Sequence, residues 1–509
     1  MSKKNTMNAL ISGVGILIGR LSGLIREILY AYLFGTSPLI GLFKYAAALP
    51  NLARRMFGEG ALSNAFIPLL AEIDKNDRGK ATDFSSKIVT LFTLFNIFLA
   101  GLGILTLIIC GKIGIIPEEN LALVELGSIM LPYLPFICLC GMLGSILNLF
   151  NSYKLPALMS SAMNICLIAS STYAISQKLV PEKAVHLLAW TLLFSGLLQA
   201  IILLKATRQK ISLSLSFSSP KSPELKSFWI SFLPVLVGAS AQQISTALDK
   251  TIALWIGTHA VAALSYSELL IYLPVGVIGV ALGSVCLPSL SKSLAKGDTT
   301  EVEQSFSTAL GQVFFLSVPC SFFFYIAGEQ ILSCIFMRGA FDQQSLVYTL
   351  QAFIWLLPGI PFFAALKVVL PLYYAHKNTK SPLRISLFMI TLNLILGISF
   401  IPLLSHGSLA MASSITAALN FFLLLKGAVK QQYLKSTHII KTITQTLSPA
   451  ALATVITNYS DTLFLIPGEN LNGLIFNIIS LGINLIYFSA LYIIFYKLFQ
   501  SCMKSSKRS

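Results

Sequence analysis

Charge is scarce in this chain, and negative charge is scarcer. Only 11% of its 509 residues are charged, and 20 of these are Asp or Glu against 36 Lys or Arg. A soluble domain is typically about 25% charged, so this chain cannot clothe a surface in water. Metal-ligand spacing is lacking too. Its eight cysteines (Cys110, Cys138, Cys140, Cys166, Cys286, Cys320, Cys334 and Cys502) are scattered through apolar segments, with no CxxC beside a second such pair. They read as small buried hydrophobes, and the five histidines are equally dispersed. No GxxxxGK[ST] is present, which argues against ATP hydrolysis, and no cluster of His, Cys or paired carboxylates offers a site for chemistry. The expectation is a protein with no catalytic residues, no metal and no bound cofactor, and so not an enzyme.

What the chain does have is oil: 55% of its residues are hydrophobic. A helix crossing the hydrocarbon needs about 20 mostly apolar residues. Apolar runs between polar breaks predict an all-α polytopic membrane protein of about 14 transmembrane helices. The runs lie near 8–34, 39–72, 84–110, 121–149, 156–177, 185–205, 227–256, 260–291, 303–327, 344–374, 382–402, 406–427, 439–458 and 472–499. The second is overlong for one simple span, so a break or an interfacial portion is expected there. Near the start, "MSKKNTMNALISGVGILIGRLSGLIREILY" mimics a signal peptide, but no small-residue cleavage site follows and Arg20 interrupts the run. It reads as a retained first helix.

A net charge of +16 would suggest nucleic acid as partner in a soluble protein. Here the cations sort by side, and nucleic acid is not expected. Even-numbered connections carry Lys75, Arg78, Lys80; Lys154; Lys205, Arg208, Lys210, Lys221, Lys226; Lys292, Lys296; Lys377, Lys380, Arg384; and Lys426, Lys430, Lys435. The opposite side has only Lys112, Lys178, Lys183 and Arg338. The positive-inside rule then places both termini in the cytoplasm.

Phrases recur at a nearly constant offset. Gly35-Thr36 in "LFGTS" matches Gly257-Thr258 in "WIGTH", 222 residues on; Pro50 and Pro68 match Pro274 and Pro288, and Pro156 matches Pro382. Six spans per copy is an even number, so the copies share an orientation, an arrangement seen in some transporters. The expected organisation is two pseudo-symmetric six-helix lobes, 1–210 and 222–430, plus two C-terminal helices over 436–500. Two such lobes facing each other would enclose a central cavity.

Against this background the charges inside spans stand out. Arg20, Arg26, Glu27, Lys44, Arg54, Arg55, Glu59, Asp249, Lys250, Glu268 and Lys367 all fall within predicted helices. Even if half snorkel, the rest imply on the order of 10 kcal/mol of unfavourable insertion. Arg55 and Glu59 can pair as i,i+4 neighbours, and Lys367 can snorkel to the cytoplasmic face. Asp249 and Lys250 are adjacent and point about 100° apart, so they are not expected to neutralise each other, and the same holds for Arg26 and Glu27. Arg20, Arg26 and Arg54 therefore read as the wall of a water-filled cavity open to an anion, since arginine suits phosphate oxygens.

These residues carry a resemblance. "GRLSGLIREILYAYLFG" followed by "LPNLARRMFGEGALSNAFIPLLAE" resembles the MurJ (MviN) family of lipid II flippases in the MOP exporter superfamily. It continues through "GVIGVALGSVCLPSLSKS", "IFMRGAFD", "LKVVLPLYYAHKNTKSP" and "HGSLAMASSI". The resemblance implies that the chain flips lipid II, the undecaprenyl-diphosphate-linked peptidoglycan precursor, from the cytoplasmic to the periplasmic leaflet of the bacterial inner membrane by alternating access. Membrane lipids and cell-wall synthesis enzymes are the other partners it implies, and the last two helices would form a groove for the lipid tail. Arg20, Arg26 and Arg54 match the family's cavity arginines, Glu27 replaces an aspartate, and Glu59 matches the family glutamate.

The chain also departs from the family pattern. In "LSYSELLIYLP", Glu268-Leu269 stands where the family has Asp-Arg, and the second-helix aspartate falls on Gly41. Lys44 and Lys250 are extra cations, and Lys250 is expected to supply the charge lost at Leu269. Some relatives carry a sodium site around a seventh-helix aspartate, which Asp249 matches, with Asn393 as a partner. Sodium or the membrane potential would then drive the cycle. A related exporter of another polyprenyl-linked glycan is the alternative reading; a non-transporting scaffold would have no use for interior arginines.

Overall fold

Long apolar segments fold as helices in lipid because a helix satisfies its own backbone hydrogen bonds where water cannot. A computed structural model describes residues 3–56, 61–216, 223–295, 298–376, 378–434, 438–460 and 471–505, and among them regular structure is helical with no strand. The chain is an all-α polytopic membrane protein. Nine helices among the described residues are long and apolar enough to cross a membrane, and the pair Glu118–Met130 and Tyr133–Leu149, bent by 44°, would make a tenth. Inside them, hydroxyls such as Thr93, Ser145, Ser171 and Thr191 bond back to the carbonyl four residues earlier, which satisfies them without water.

By contacts the chain forms two compact units, Met1–Ala262 and Ala263–Ser509. The first begins with α1 (Lys3–Phe34), α2 (Pro38–Ala53), α3 (Ala61–Asn76) and α4 (Arg78–Lys112). It continues with α5 (Ala122–Met130), α6 (Tyr133–Leu149), α7 (Lys154–Ser176), α8 (Pro181–Arg208) and α9 (Pro223–Ile256). α1 lies along α7, α6 packs on α8 and α4, and α9 packs on α2 and α3. The expected break in the second run is present. α2 ends at Ala53, Arg54–Met56 form a π-helical turn, and α3 starts at Ala61. Before the break α2 meets α5 and α8, after it α3 meets α4, and both also pack on α6.

Two further features shape this unit. After α8, the amides of Ser214 and Ser216 donate to Ser86 Oγ and Thr90 Oγ1 of α4, both at 3.2 Å. One turn on, Phe92 of α4 stacks on Trp229 and meets Phe228 and Phe232 edge-on, with centroids 5.3 to 5.9 Å apart.

The division between units falls within α10 (Thr258–Pro274). The second unit goes on through a π-helical turn at Val275–Val280 into α11 (Ala281–Ala295), then α12 (Thr299–Phe336), α13 (Gln343–Leu356), α14 (Ile360–Ala375) and α15 (Lys380–Ser399). It ends with α16 (Ile401–Leu404), α17 (Gly407–Lys430), α18 (His438–Ser460) and α19 (Leu471–Ser505). α12 is central, touching α11, α13, α14, α18 and α19. Its Phe306 and Phe314 are buried in a core with Tyr373, Phe421 and Phe488.

Turn chemistry follows the sequence phrases. Gly35 (φ 55°) and Gly257 (φ 156°) sit between α1 and α2 and between α9 and α10, in backbone regions that favour glycine. Three of the scarce acids act as N-caps: Asp77 accepts from Gly79 N at 2.8 Å, Asp298 from Glu301 N at 2.9 Å, and Asp342 from Ser345 N at 2.8 Å.

Candidate functional site

The interior charges of the first unit gather where α1, α2 and α7 meet. Arg26 and Glu27 are neighbours on α1 and, against the expectation from their angular separation, they pair. Arg26 Nη2 donates to Glu27 Oε1 at 2.7 Å. Their Cα–Cβ vectors diverge, but the long guanidinium arm bends back across the carboxylate. Glu27 uses its other oxygen as well: Lys44 Nζ of α2 donates to Oε2 at 2.7 Å. Lys44 is deeply placed, its side chain only 7% exposed. Arg26 is therefore compensated, though a cluster of two cations on one carboxylate stays positive by one charge.

A residue that sequence reasoning missed completes the cluster. Asn164 of α7, buried, accepts from Arg26 Nη1 at 2.8 Å through Oδ1. Its Nδ2 donates to Gly19 O and Ser22 Oγ, both at 3.0 Å. Its donors and acceptor are matched on all sides, so the amide fixes both the α1–α7 contact and the guanidinium plane. Arg26 also lies over Tyr30, with Cζ 5.7 Å from the ring centroid. The available signal was an uncharged amide in the apolar "SSAMNICLIASS", since polar groups inside spans mark functional positions.

Arg54 opens the π turn that ends α2 and is half-buried, within electrostatic reach of Tyr133 and Cys140 on α6. Tyr133 also feels Arg26, so the two arginines share one aromatic neighbour. Arg55 is exposed; Glu59, its expected partner, lies outside the described residues. Arg20 is half-buried on α1.

On α9, Lys250 and Asp249 are half-buried, and Lys250 is close enough to Lys44 to repel it. Beside these residues, Tyr45 and Thr251 share a hydrogen bond of 3.1 Å that sets α2 against α9. Gly41 faces the Thr258 carbonyl so closely that a Cβ could not be placed there. This close approach gives the physical reason why no aspartate stands at that position. In the second unit, Asn393 of α15 is buried and accepts from Thr416 Oγ1 at 3.4 Å. Among the described residues no group of three His, Cys, Asp or Glu could hold a metal ion.

Long apolar helices around a buried cluster of charges, costly in a membrane unless it has a function, fit a polytopic membrane transporter. The chain belongs to the MurJ lipid II flippase family, whose model, "Lipid II flippase MurJ", matches residues 30–475. The lipid II flippase MurJ of Burkholderia cenocepacia is 29% identical over 439 residues, covering 84% of each chain. The fold matches that of a lipid II flippase MurJ in an inward closed conformation with a TM-score of 0.79 at 22% identity, over 97% of this chain and 99% of that one. An inward-facing multidrug resistance MATE family transporter of the MOP superfamily has the same fold, with a TM-score of 0.67 at 14% identity, over 83% of this chain and 99% of that one.

Proposed function

We propose that this chain flips lipid II from the cytoplasmic to the periplasmic leaflet for peptidoglycan synthesis, by alternating access and without chemistry of its own. The observation that carries the reading is the shared Glu27: Arg26 and Lys44 divide one carboxylate, so the interior retains positive charge for a diphosphate. A buried cluster built only for stability would balance its charges. Arg20, Arg54 and Lys250 extend the positive lining, and Glu59 joins the candidates by family resemblance alone. The setting is the inner membrane with both termini cytoplasmic, fourteen spans in lobes 1–210 and 222–430, and a lipid-tail groove from residues 436–500. Asp249 and Asn393 are the candidates for a sodium contribution, with the membrane potential as the other drive; cell-wall synthesis enzymes are the protein partners.

The test is complementation. The parent and its Arg54→Ala variant are expressed in cells depleted of their own lipid II flippase, and leaflet exposure of lipid II is assayed. Rescue by the parent alone, at equal membrane levels, supports the reading. A well-inserted parent that leaves lipid II in the cytoplasmic leaflet moves the cargo to another polyprenyl-linked glycan, the reading that Leu269 favours by removing a second-lobe arginine.

A further inference from the structure

Glu27 gives one oxygen to Arg26 and the other to Lys44, each at 2.7 Å, and all three groups lie within the first unit. Arg26 holds Asn164 with Nη1, and its Nε is buried without a hydrogen-bond partner among the described residues. Arg26 can offer its Nε–Nη2 edge to an anion for a two-point grip only by releasing Glu27 from Nη2. In a buried site that step strands a negative charge, and stranding is strongly unfavourable. Here the replacement cation is already in place on the second oxygen. Lys250, from α9, lies within electrostatic reach of Lys44.

We propose that Lys44 is a positioning residue: it keeps Glu27 compensated while Arg26 transfers its donors to the anionic head of the cargo. Lys44 then does not touch the cargo, although its sequence position suggests a ligand. The identity of the anion rests on the lipid II reading; the exchange of counter-ions requires only a phosphate-bearing ligand. Charge arithmetic makes the idea sharp. The parent cluster carries +1, Lys44→Met 0, Glu27→Gln +2, and the double variant +1, with Arg26 freed in the last two.

The full-length chain in nanodiscs is titrated with lipid II and, separately, with inorganic pyrophosphate. Lys44→Met is expected to weaken both by about tenfold because Arg26 stays pinned, whereas Lys44→Arg binds as the parent does. Adding Glu27→Gln to Lys44→Met restores binding, a rescue that a merely structural lysine would not give. Should Lys44→Met not insert, the double variant, which carries the parent's charge, is compared with the parent, and equal binding is the expected result. A double variant as weak as Lys44→Met, or weaker than the parent, means that Lys44 contacts the anion and overturns the proposal; so does parent-like binding by Lys44→Met. A parent that binds pyrophosphate but not lipid II removes the cargo reading while the pyrophosphate series still decides the exchange. A parent that binds neither overturns both.

Discussion

Gly41 of α2 and Thr258 at the start of α10 approach until backbone meets backbone, with the Thr258 carbonyl oxygen where a side chain would begin. The approach is supported from the side by the Tyr45–Thr251 hydrogen bond. Gly41→Ala is expected to cost about 1–3 kcal/mol through overpacking, and Gly41→Asp more. Thermal unfolding in detergent checks it; an alanine variant as stable as the parent would show that the helices part without penalty.

Asn164 is the second expectation. Asn164→Leu removes the acceptor for Arg26 Nη1 and the donor for Ser22 and Gly19 at once. A buried group left unmatched costs about 1–3 kcal/mol, so stability and lipid II flipping should both fall. Asn164→Asp keeps the acceptor and adds a counter-charge to Arg26. It loses the donor to the Gly19 carbonyl, so it should unfold somewhat below the parent and flip poorly, and the two assays together separate lost stability from the added charge.

Asp342 caps α13, and the hydrogen bond from Ser345 N holds its carboxyl below the ordinary value of 3.8. A depressed folded value stabilises the protein above the unfolded pKa, and that stability is lost as pH falls through the folded one. Unfolding followed by circular dichroism between neutral and strongly acid pH should therefore show a small acid-side loss. Asp342→Asn should remove this loss while keeping the cap, and Asp342→Ala should cost about 1 kcal/mol at neutral pH.

The residues after α8 are tied to α4 by Ser86 and Thr90. Ser86→Ala with Thr90→Ala removes two acceptors worth about 1 kcal/mol each. Amide exchange at Ser214 and Ser216 should speed up by roughly fivefold or more, with the α4 core unchanged. Unaltered exchange would mean that other contacts hold the segment.

The helical fold was legible because hydropathy needs no knowledge of tertiary partners. Helix fills most of each predicted stretch where it is described, with turns at Leu131–Pro132 and Phe400, and the overlong run 39–72 leaves α-helix at Arg54 as its length suggested. The site was less legible, for two reasons. Angular separation on a helical wheel describes where side chains leave the backbone, whereas Arg26 and Glu27 meet at their tips. Partners 17 and 138 residues apart, Lys44 with Glu27 and Asn164 with Arg26, leave no local trace. Gly41 was visible only as a missing aspartate, and the reason for it was a carbonyl more than two hundred positions away.

The π-helical turn at Arg54–Met56 widens the backbone by about one residue per turn, and each inserted residue rotates the helix beyond it by about 100°. α2 meets α5 and α8 where α3 meets α4, while both keep α6 and α9 as neighbours. The chain thus changes part of its company here, with a guanidinium in the π turn. A second seam at Val275–Val280 follows Pro274 much as the first follows Pro50, but its residues are valine, glycine and isoleucine. The geometry is present twice and the charge only once.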